Sequence, residues 1–329
     1  MEGGFLGMEG EGYDFSVIVV VYNQPLTLDL IFRSLLAQKF SGSYEVIICD
    51  DGSSSNLLSQ YLDEFNTAKI PIKYVWQQDR GFRAAAARNN GIRISKGRYL
   101  LFLDGDTIPP LTLLQKHLEA HNKEKLLIAG NRKWRGEITL EEWRSLKEKP
   151  IGEILLELDT RVPDKKSQHR EKIENERRKT WLSSPHPWRI CFSGHLSVKR
   201  APEIYFDENF VGWGPEDWEL SYRLWKHYHY TPVYCEEIVA YHLESPEAIG
   251  NVFRRGTHRE IVQYMKNTFY FFQKCPELKL EEIFFGFPRF ALDPHTDTWH
   301  VIPRPPIGSY NLAEIVEEIR NWLVRHGEL

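Results

Sequence analysis

Residues 98–107, RYLLFLDGDT, form an apolar run that ends abruptly in two carboxylates. A continuous apolar run of this length, bounded by turn residues, is typical of a strand that is buried on both faces, as in a parallel sheet. Similar runs occur at four other places in the first part of the chain. They are SVIVVVY at 16–22, YEVIICD at 44–50, IKYVW at 72–76 and KLLIAG at 125–130.

Helical stretches separate these strands, which predicts βαβ units and an α/β fold. The predicted helices cover about residues 26–38, 55–66, 83–95 and 110–121. In sheets of this kind, ligands bind beyond the carboxyl ends of the strands. Polar residues follow three of the predicted strands at that end, namely Asn23, the pair Asp50 and Asp51, and the pair Asp104 and Asp106.

The composition is that of a globular protein, with 42% hydrophobic and 27% charged residues. A net charge of −4 gives no case for a protein that coats nucleic acid by neutralising phosphates. The four cysteines lack Cys-x-x-Cys spacing, which favours buried free thiols in a reducing compartment. Residues 1–14 do not resemble a signal peptide, and no apolar run approaches the roughly 20 residues that span a bilayer. We therefore expect a cytoplasmic protein without a transmembrane segment, and leave peripheral membrane association and oligomeric state open.

Asp104 and Asp106 stand one residue apart where their strand ends. Side chains at positions i and i+2 of an extended chain point the same way, so both carboxylates can converge on one hard cation, Mg²⁺ or Mn²⁺. Such a cation would bridge phosphate oxygens of a ligand. Asp-Gly-Asp is also favourable turn chemistry, and the residues alone leave the two interpretations open.

Three further stretches contain candidate ligand-binding residues. In VIICDDGSSS, Asp51 could accept a hydrogen bond from a base or a ribose, although this stretch is also an ordinary capped turn. In RGFRAAAARNN, Arg83, Arg88 and Asn89 can direct positive charge and an amide toward the carboxyl edge, and Arg suits a diphosphate. In VAYHLES, His242 could complete a carboxylate metal site or serve a structural purpose.

The stretch FVGWGPEDWELSYRLW at 210–225 places Glu216 and Asp217 side by side. Pro is favoured at the first helical position and acidic residues in the first turn, so a helix beginning at Pro215 explains both carboxylates. A helix start does not explain the preceding Gly-Trp-Gly, in which two flexible positions flank Trp213. Whether the two carboxylates only cap a helix or also serve chemistry stays open at this point.

Seven motifs occur in the order and approximate spacing seen in inverting nucleotide-sugar glycosyltransferases of the GT-A fold. They are VVVYNQ, CDDGS, RGFRAAAARNNGI, LDGD, CFSGHLSVKR, FVGWGPEDWELSYRLW and AYHLES. Over about residues 15–270 the chain resembles the catalytic domains of bacterial chondroitin-polymerase-type enzymes and the related β-1,4-galactosyltransferases, a family-2-like group. The resemblance implies a GT-A fold, in which a Rossmann-like nucleotide-sugar-binding sheet flanked by helices is fused to an acceptor-binding half.

The resemblance also implies a donor site and a metal site. Asp51 matches the position that reads the uracil base. Arg88 and Asn89 match the helix that faces the nucleotide, which Arg83 precedes. The implied ligands of Mn²⁺ or Mg²⁺ are Asp104, Asp106 and His242.

On the acceptor side, the resemblance matches Trp213 to an aromatic residue near the acceptor. Asp217 matches the general base, and Glu216 lies beside it. Pro215 replaces a Gly of the family, which stiffens the loop that enters the acid pair. His195 replaces an Asn of the polymerases, so the choice of donor or acceptor is in question. Asp-Gly-Asp replaces Asp-Cys-Asp, which we do not expect to disturb metal binding.

The implied reaction is metal-dependent transfer of a hexosyl or N-acetylhexosaminyl unit, with inversion, from a UDP-sugar to an acceptor hydroxyl in glycan or polysaccharide biosynthesis. The sequence names neither the sugar nor the acceptor, which could be a saccharide or another hydroxyl compound. WELSYRLW also resembles the retaining polypeptide N-acetylgalactosaminyltransferases, but those carry Asn at the position of Asp217. A non-catalytic nucleotide-sugar-binding module is the alternative from another class, and the complete set of candidate residues argues against it.

The expected organisation has five parts. They are a disordered N-terminus at 1–14, a nucleotide-sugar-binding half at 15–130, a variable helical insertion at 131–190, an acceptor-binding and catalytic half at 191–270, and a C-terminal extension with an amphipathic helix at 271–329.

Overall fold

The computed structural model describes residues 12–54, 68–244, 256–278, 289–303 and 311–329. The chain forms two compact units. The first contains Met1–Asp79, Ala86–Tyr205 and Leu220–Ala248, and the second contains Arg80–Ala85, Phe206–Glu219 and Ile249–Leu329. The helix predicted at 55–66 lies outside the described residues, as does most of the N-terminal segment predicted at 1–14.

The first unit is built on a sheet of eight described strands. In chain order these are β1 Tyr13–Val21, β2 Tyr44–Asp50, β3 Ile72–Trp76, β4 Gly97–Asp104, β5 Thr107–Ile108, β6 Leu126–Glu137, β7 His195–Lys199 and β8 Thr231–Glu244. Across the sheet the order is β3-β2-β1-β4-β7-β6-β8-β5. Each of the five strands predicted before residue 131 is present.

The strands β3, β2, β1 and β4 run parallel, as predicted. In β1, Val19 lies between Ile48 of β2 and Leu103 of β4, and all three side chains are buried. The prediction of a parallel sheet is wrong beyond β4, because β7 lies antiparallel between β4 and β6. β6 and β8 are again parallel, with register shifts after Gly130 and after Trp134.

Helices cover the sheet of the first unit. They are α1 Pro25–Leu36, α2 Ala84–Ile94, α3 Leu113–Ala120, α4 Leu140–Leu146, α5 Ile151–Thr160, α6 Lys165–Leu182, a 3₁₀ turn Pro187–Ile190 and the part of α7 Glu216–Tyr228 that begins at Leu220. The first residues of α2 and α7, at 84–85 and 216–219, belong to the second unit. α1 begins at Pro25, and its apolar stripe buries Leu28, Ile31 and Leu35. Burying each such side chain stabilises the fold by about 1.5–3 kcal/mol before the entropy of ordering is subtracted.

The mixed-charge run at 164–179 forms most of α6. One face of this helix is exposed and includes Gln168, Lys172 and Lys179. Arg178 is buried, and its guanidinium lies 3.5 Å from the Gly130 carbonyl oxygen of β6 and 3.8 Å from Glu174. One face of this charged helix therefore packs on the sheet, since opposite charges within the helix offset the cost of burying the arginine.

The second unit contains α8 His258–Lys274, a hairpin of β9 Phe290–Asp293 and β10 Thr298–Val301, and α9 Leu312–Arg325. Its core joins Met265 and Phe269 of α8, Trp299 of β10, and Ile319 and Leu323 of α9. The predicted amphipathic C-terminal helix is therefore confirmed.

Two expectations about the environment of the chain can be compared with the structure. The four cysteines are free and buried, as predicted. Within the described ranges, every helix is either too short or too polar to cross a bilayer.

Candidate active site

The carboxyl ends of the parallel strands bring the candidate acidic residues of the first unit to one edge. Val20 of β1 lies beside Asp104 of β4, and the next residue, Val21, lies beside Asp50 of β2. Strands that run parallel end at the same edge of a sheet, so Asp50 and Asp104 lie at the edge where the sequence placed them.

A chain of side-chain amides orients Asp51. Gln77 Nε2 donates to Asp51 Oδ1 over 2.6 Å, and Asn90 Nδ2 of α2 donates to Gln77 Oε1 over 2.9 Å. The neighbouring Asp50 accepts the Tyr74 hydroxyl, and burial together with this bond raises the pKa of Tyr74. Asp51 is also buried. Burial and the hydrogen bond from Gln77 therefore fix the direction of its carboxylate at this edge of the sheet.

Asp104 is clasped by two arginines. Arg88 Nη2 of α2 lies 2.9 Å from Asp104 Oδ1, and Arg132 Nη1 of β6 lies 3.5 Å from Asp104 Oδ2. A β-carbon at Gly194 would stand 2.3 Å from Asp104 Oδ2 and 2.5 Å from Arg132 Nη1, so a side chain there would displace the carboxylate and the guanidinium. Asn89, the other candidate on α2, is buried. Two guanidinium groups at a strand end can bind phosphate oxygens.

Asp106 and His242 form a close pair. β5 pairs with β8 so that Thr107 faces His242, and the Leu243 N–H donates to the Asp106 carbonyl over 2.9 Å. This pairing places His242 Nε2 3.2 Å from Asp106 Oδ2. Burial alone would raise the pKa of Asp106, but His242 and Arg132 outweigh it and hold that pKa below its usual value.

The side chains of this pair suit a divalent cation. His242 Nδ1 is buried and makes no hydrogen bond, and carboxylate with imidazole is a ligand set suited to Mn²⁺. No cluster of three or more His, Cys, Asp or Glu that could hold a metal occurs within the described part of the chain. Asp106 and His242 would thus supply two protein ligands to such an ion.

The second unit contains Arg83, Trp213, Glu216 and Asp217. The helix starts at Glu216, one residue after Pro215, which follows a cis peptide bond. Glu216 is buried and Asp217 is partly exposed, and Asp217 Oδ1 accepts the Trp218 N–H over 2.8 Å. The helix prediction is therefore confirmed, and one carboxylate of the pair is open to solvent.

The loop before these carboxylates is held by α8. Asn267 Nδ2 donates to the carbonyls of Val211 and Gly214 over 2.8 Å each, and the Trp213 ring packs 5.6 Å from Tyr264. Gly212 adopts φ +82°, where a side chain would be strained and would also meet Gln263. The Gly-Trp-Gly stretch is thus a fixed wall beside the acid pair, with Trp213 partly buried.

His195 belongs to a buried cluster of the first unit, together with His117, His121 and Ser197. His195 Nε2 lies 3.0 Å from His117 Nε2, and the Ser197 hydroxyl lies 2.8 Å from a ring nitrogen of both His117 and His121. His195 Nδ1 lies 3.2 Å from the Asn131 carbonyl oxygen. All three rings are buried. His195, which replaces an Asn of the polymerases, therefore belongs to an internal polar network.

Sequence reasoning missed Gln77 and Arg132. Gln77 directly follows β3, so its place after a strand is a signal that could have been used. Arg132 had no such signal, because β6 was expected to end at residue 130 and instead continues to Glu137.

Comparison with known proteins identifies the family of the chain. Residues 16–192 match the family described as Glycosyl transferase family 2. The hyaluronan synthase of Pasteurella multocida is 32% identical over 72% of this chain and 25% of that protein. The chondroitin synthase of Escherichia coli is 29% identical over 80% of this chain and 40% of that protein. The validoxylamine A glucosyltransferase of Streptomyces hygroscopicus subsp. jinggangensis is 29% identical over 82% of this chain and 63% of that protein.

Among solved structures, a mannosyltransferase from Pyrobaculum calidifontis in complex with GDP-Man and Mn²⁺ shares the fold with a TM-score of 0.50. The likeness covers 97% of this chain and 76% of that chain at 13% identity. It confirms the predicted GT-A fold. The chain spans only 25% to 63% of the length of the three relatives named above.

Proposed function

Because the chain belongs to glycosyl transferase family 2, we propose that it transfers a hexosyl or N-acetylhexosaminyl unit from a UDP-sugar to an acceptor hydroxyl, with inversion, in glycan or polysaccharide biosynthesis. The observation that carries the proposal is the pairing of Asp106 with His242 at the sheet edge where two arginines clasp Asp104. On this proposal, the same edge of the sheet binds both the cation and the diphosphate.

The donor binds through the nucleotide and the diphosphate. Asp51, held by Gln77, accepts the N–H of the uracil ring. Arg88 and Arg132 bind phosphate oxygens, because the guanidinium fork matches their geometry. Arg83 and Asn89 are further donor-binding candidates from the sequence.

A divalent cation, Mn²⁺ or Mg²⁺, would be held by Asp106 and His242, with Asp104 as a third candidate. When bound, such an ion neutralises charge that develops on the departing diphosphate. The mannosyltransferase of similar fold holds Mn²⁺, and the carboxylate and imidazole donors of this chain suit the same ion.

The acceptor side belongs to the start of α7. Asp217 removes the proton of the acceptor hydroxyl as that oxygen attacks the anomeric carbon, a step worth about 10²- to 10⁴-fold in rate. Glu216 orients the acceptor or the base, and Trp213 offers an aromatic face on which a sugar ring stacks.

The substitution Asp217→Asn tests this proposal. It removes the base but preserves the shape, so we expect UDP binding with Mn²⁺ to persist in calorimetry while transfer falls by about 10²-fold or more. The assay screens UDP-sugars with the wild-type protein for UDP release and identifies products by mass spectrometry. Lys226→Gln, a change further along α7, is the matched control. Transfer at the wild-type rate by Asp217→Asn would overturn the role of the base.

Two measurements separate the alternatives. The anomeric configuration of the product, read by NMR, distinguishes inversion from retention. A non-catalytic nucleotide-sugar-binding module would bind UDP-sugars with Mn²⁺ but would release no UDP in the presence of any acceptor.

A further inference from the structure

Trp134 of β6 lies against the ring of His242. The two residues face each other across the β6–β8 pairing, and their ring centroids are 3.7 Å apart with planes inclined by 37°. On the indole ring, the Arg170 guanidinium carbon of α6 stands 3.7 Å from the centroid. We call Arg170, Trp134 and His242 the ring stack.

Helix α6 holds the indole of the ring stack in place. Trp134 Nε1 donates to Glu174 Oε2 over 3.2 Å, and the Trp134 backbone N–H donates to Glu171 Oε2 over 3.1 Å. Arg170 lies 3.6 Å from Glu174 and 3.6 Å from Glu244 at the end of β8. With only 3% of its surface exposed, Trp134 is fixed both by hydrogen bonds and by burial.

His242 lacks the hydrogen bond that usually orients a metal-binding histidine. Such a residue ordinarily donates its second ring N–H to a carboxylate or a carbonyl, which fixes the ring. Here Nε2 faces Asp106 over 3.2 Å, whereas Nδ1 is buried and has no hydrogen-bond partner. The contact with the ring face of Trp134 therefore restrains the imidazole of His242, because no hydrogen bond to Nδ1 does so.

We propose that Trp134 is a positioning residue for the cation site, which holds the His242 imidazole in the orientation that points Nε2 at the ion shared with Asp106. The inference rests on the proposed function, since the ion is part of that function. Arg170 contributes through the indole, because its guanidinium is attracted to the aromatic face of Trp134 and helps to hold that ring against His242. The charged helix α6 thus supports the cation site without touching the ion.

Binding of Mn²⁺ itself tests the proposal without any turnover. The protein with saturating UDP is titrated with Mn²⁺, and the free ion is followed by its EPR signal. Loss of a residue that orients a metal ligand lowers metal affinity by about 10- to 100-fold, and we expect this loss for Trp134→Leu. Trp134→Phe keeps an aromatic face, so it should bind Mn²⁺ at least about fivefold more tightly than the Leu variant.

Arg170→Leu is the second variant, since it leaves the buried indole in place and does not threaten folding. We expect about a two- to fivefold weaker affinity for Mn²⁺. Lys172→Leu, an exposed change on the same helix, is its matched control and should bind as the wild type does. The Arg170 result decides the question if Trp134→Leu does not fold.

Failure of the inference differs from failure of the proposed function. If the wild type with UDP binds no Mn²⁺, the proposed cation site itself is refuted. If the wild type binds Mn²⁺ and His242→Ala does not, while Trp134→Leu and Arg170→Leu bind as the wild type does, only the positioning role is overturned.

Discussion

The buried histidine cluster makes the first unit sensitive to acid. His121 illustrates the physical cause, because burial, together with the charge of Arg98, lowers its pKa from 6.5 to about 4. Burial is likewise the main cause that lowers the pKa of His195 to about 3; the hydrogen bond with the Asn131 carbonyl opposes it, and the charges of Arg132 and Arg178 add to it. The folded protein therefore keeps both rings neutral at pH values where the unfolded chain binds protons.

The sign and size of the effect follow from proton linkage. The stability that His121 contributes is fully present above the unfolded pKa of 6.5. It is lost as the pH falls toward the folded pKa of about 4. Between about pH 7.5 and about pH 5, that shift lowers the free energy of unfolding by about 2 kcal/mol. His195 adds a loss of similar size over the same interval.

The substitution His121→Phe isolates one contribution. Phenylalanine keeps the stack on Tyr99, whose ring lies 4.4 Å away, and Ser197 keeps its bond to His117. We expect the variant to lose about 2 kcal/mol less than the wild type between the two pH values. Urea unfolding followed by circular dichroism measures both losses. His169→Phe, an exposed change on α6, is the control, and an equal pH dependence in wild type and His121→Phe would refute the reasoning.

Three further substitutions test other parts of the chain. Gln77→Leu should weaken UDP binding about fivefold, the effect of about 1 kcal/mol for one lost hydrogen bond, and an unchanged calorimetric Kd would contradict it. Gly130→Ala should lower the unfolding free energy by about 1–3 kcal/mol, because its β-carbon would stand 2.1 Å from a histidine ring atom, whereas Gly152→Ala has nothing within 4 Å and should not destabilise. Lys274→Met should cost about 3 kcal/mol, because it removes the ammonium that lies 2.6 Å from both the buried Glu219 carboxylate and Asp207. A urea midpoint equal to that of the wild type would contradict either stability prediction.

The sequence predicted the parallel half of the sheet because its signals are local. Apolar runs with polar ends mark strands such as 98–104, and the parallel order brings their carboxyl ends to one edge. Pro215 and the spacing of the apolar residues after it predicted the helix that begins at Glu216. These features depend on neighbours along the chain, so a single sequence is enough to find them.

The missed features depend on pairing between distant strands. No local pattern places β7 between β4 and β6, since 57 residues separate the end of β6 from the start of β7. Arg132 reaches Asp104 only because β6 continues beside β8 after the register shift at Gly130. The indole of Trp134 meets His242 for the same reason.

Local geometry did not predict where the two carboxylates of the Asp-Gly-Asp stretch lie. An extended chain would point Asp104 and Asp106 the same way, but Thr107 and Ile108 leave β4 and pair with β8. Asp106 therefore pairs with His242. Asp104 lies at the end of β4, where Arg88 and Arg132 balance its charge. On the proposed function, Asp106 would ligate the cation, while Asp104, the third candidate ligand, also orients the guanidinium groups that face the diphosphate.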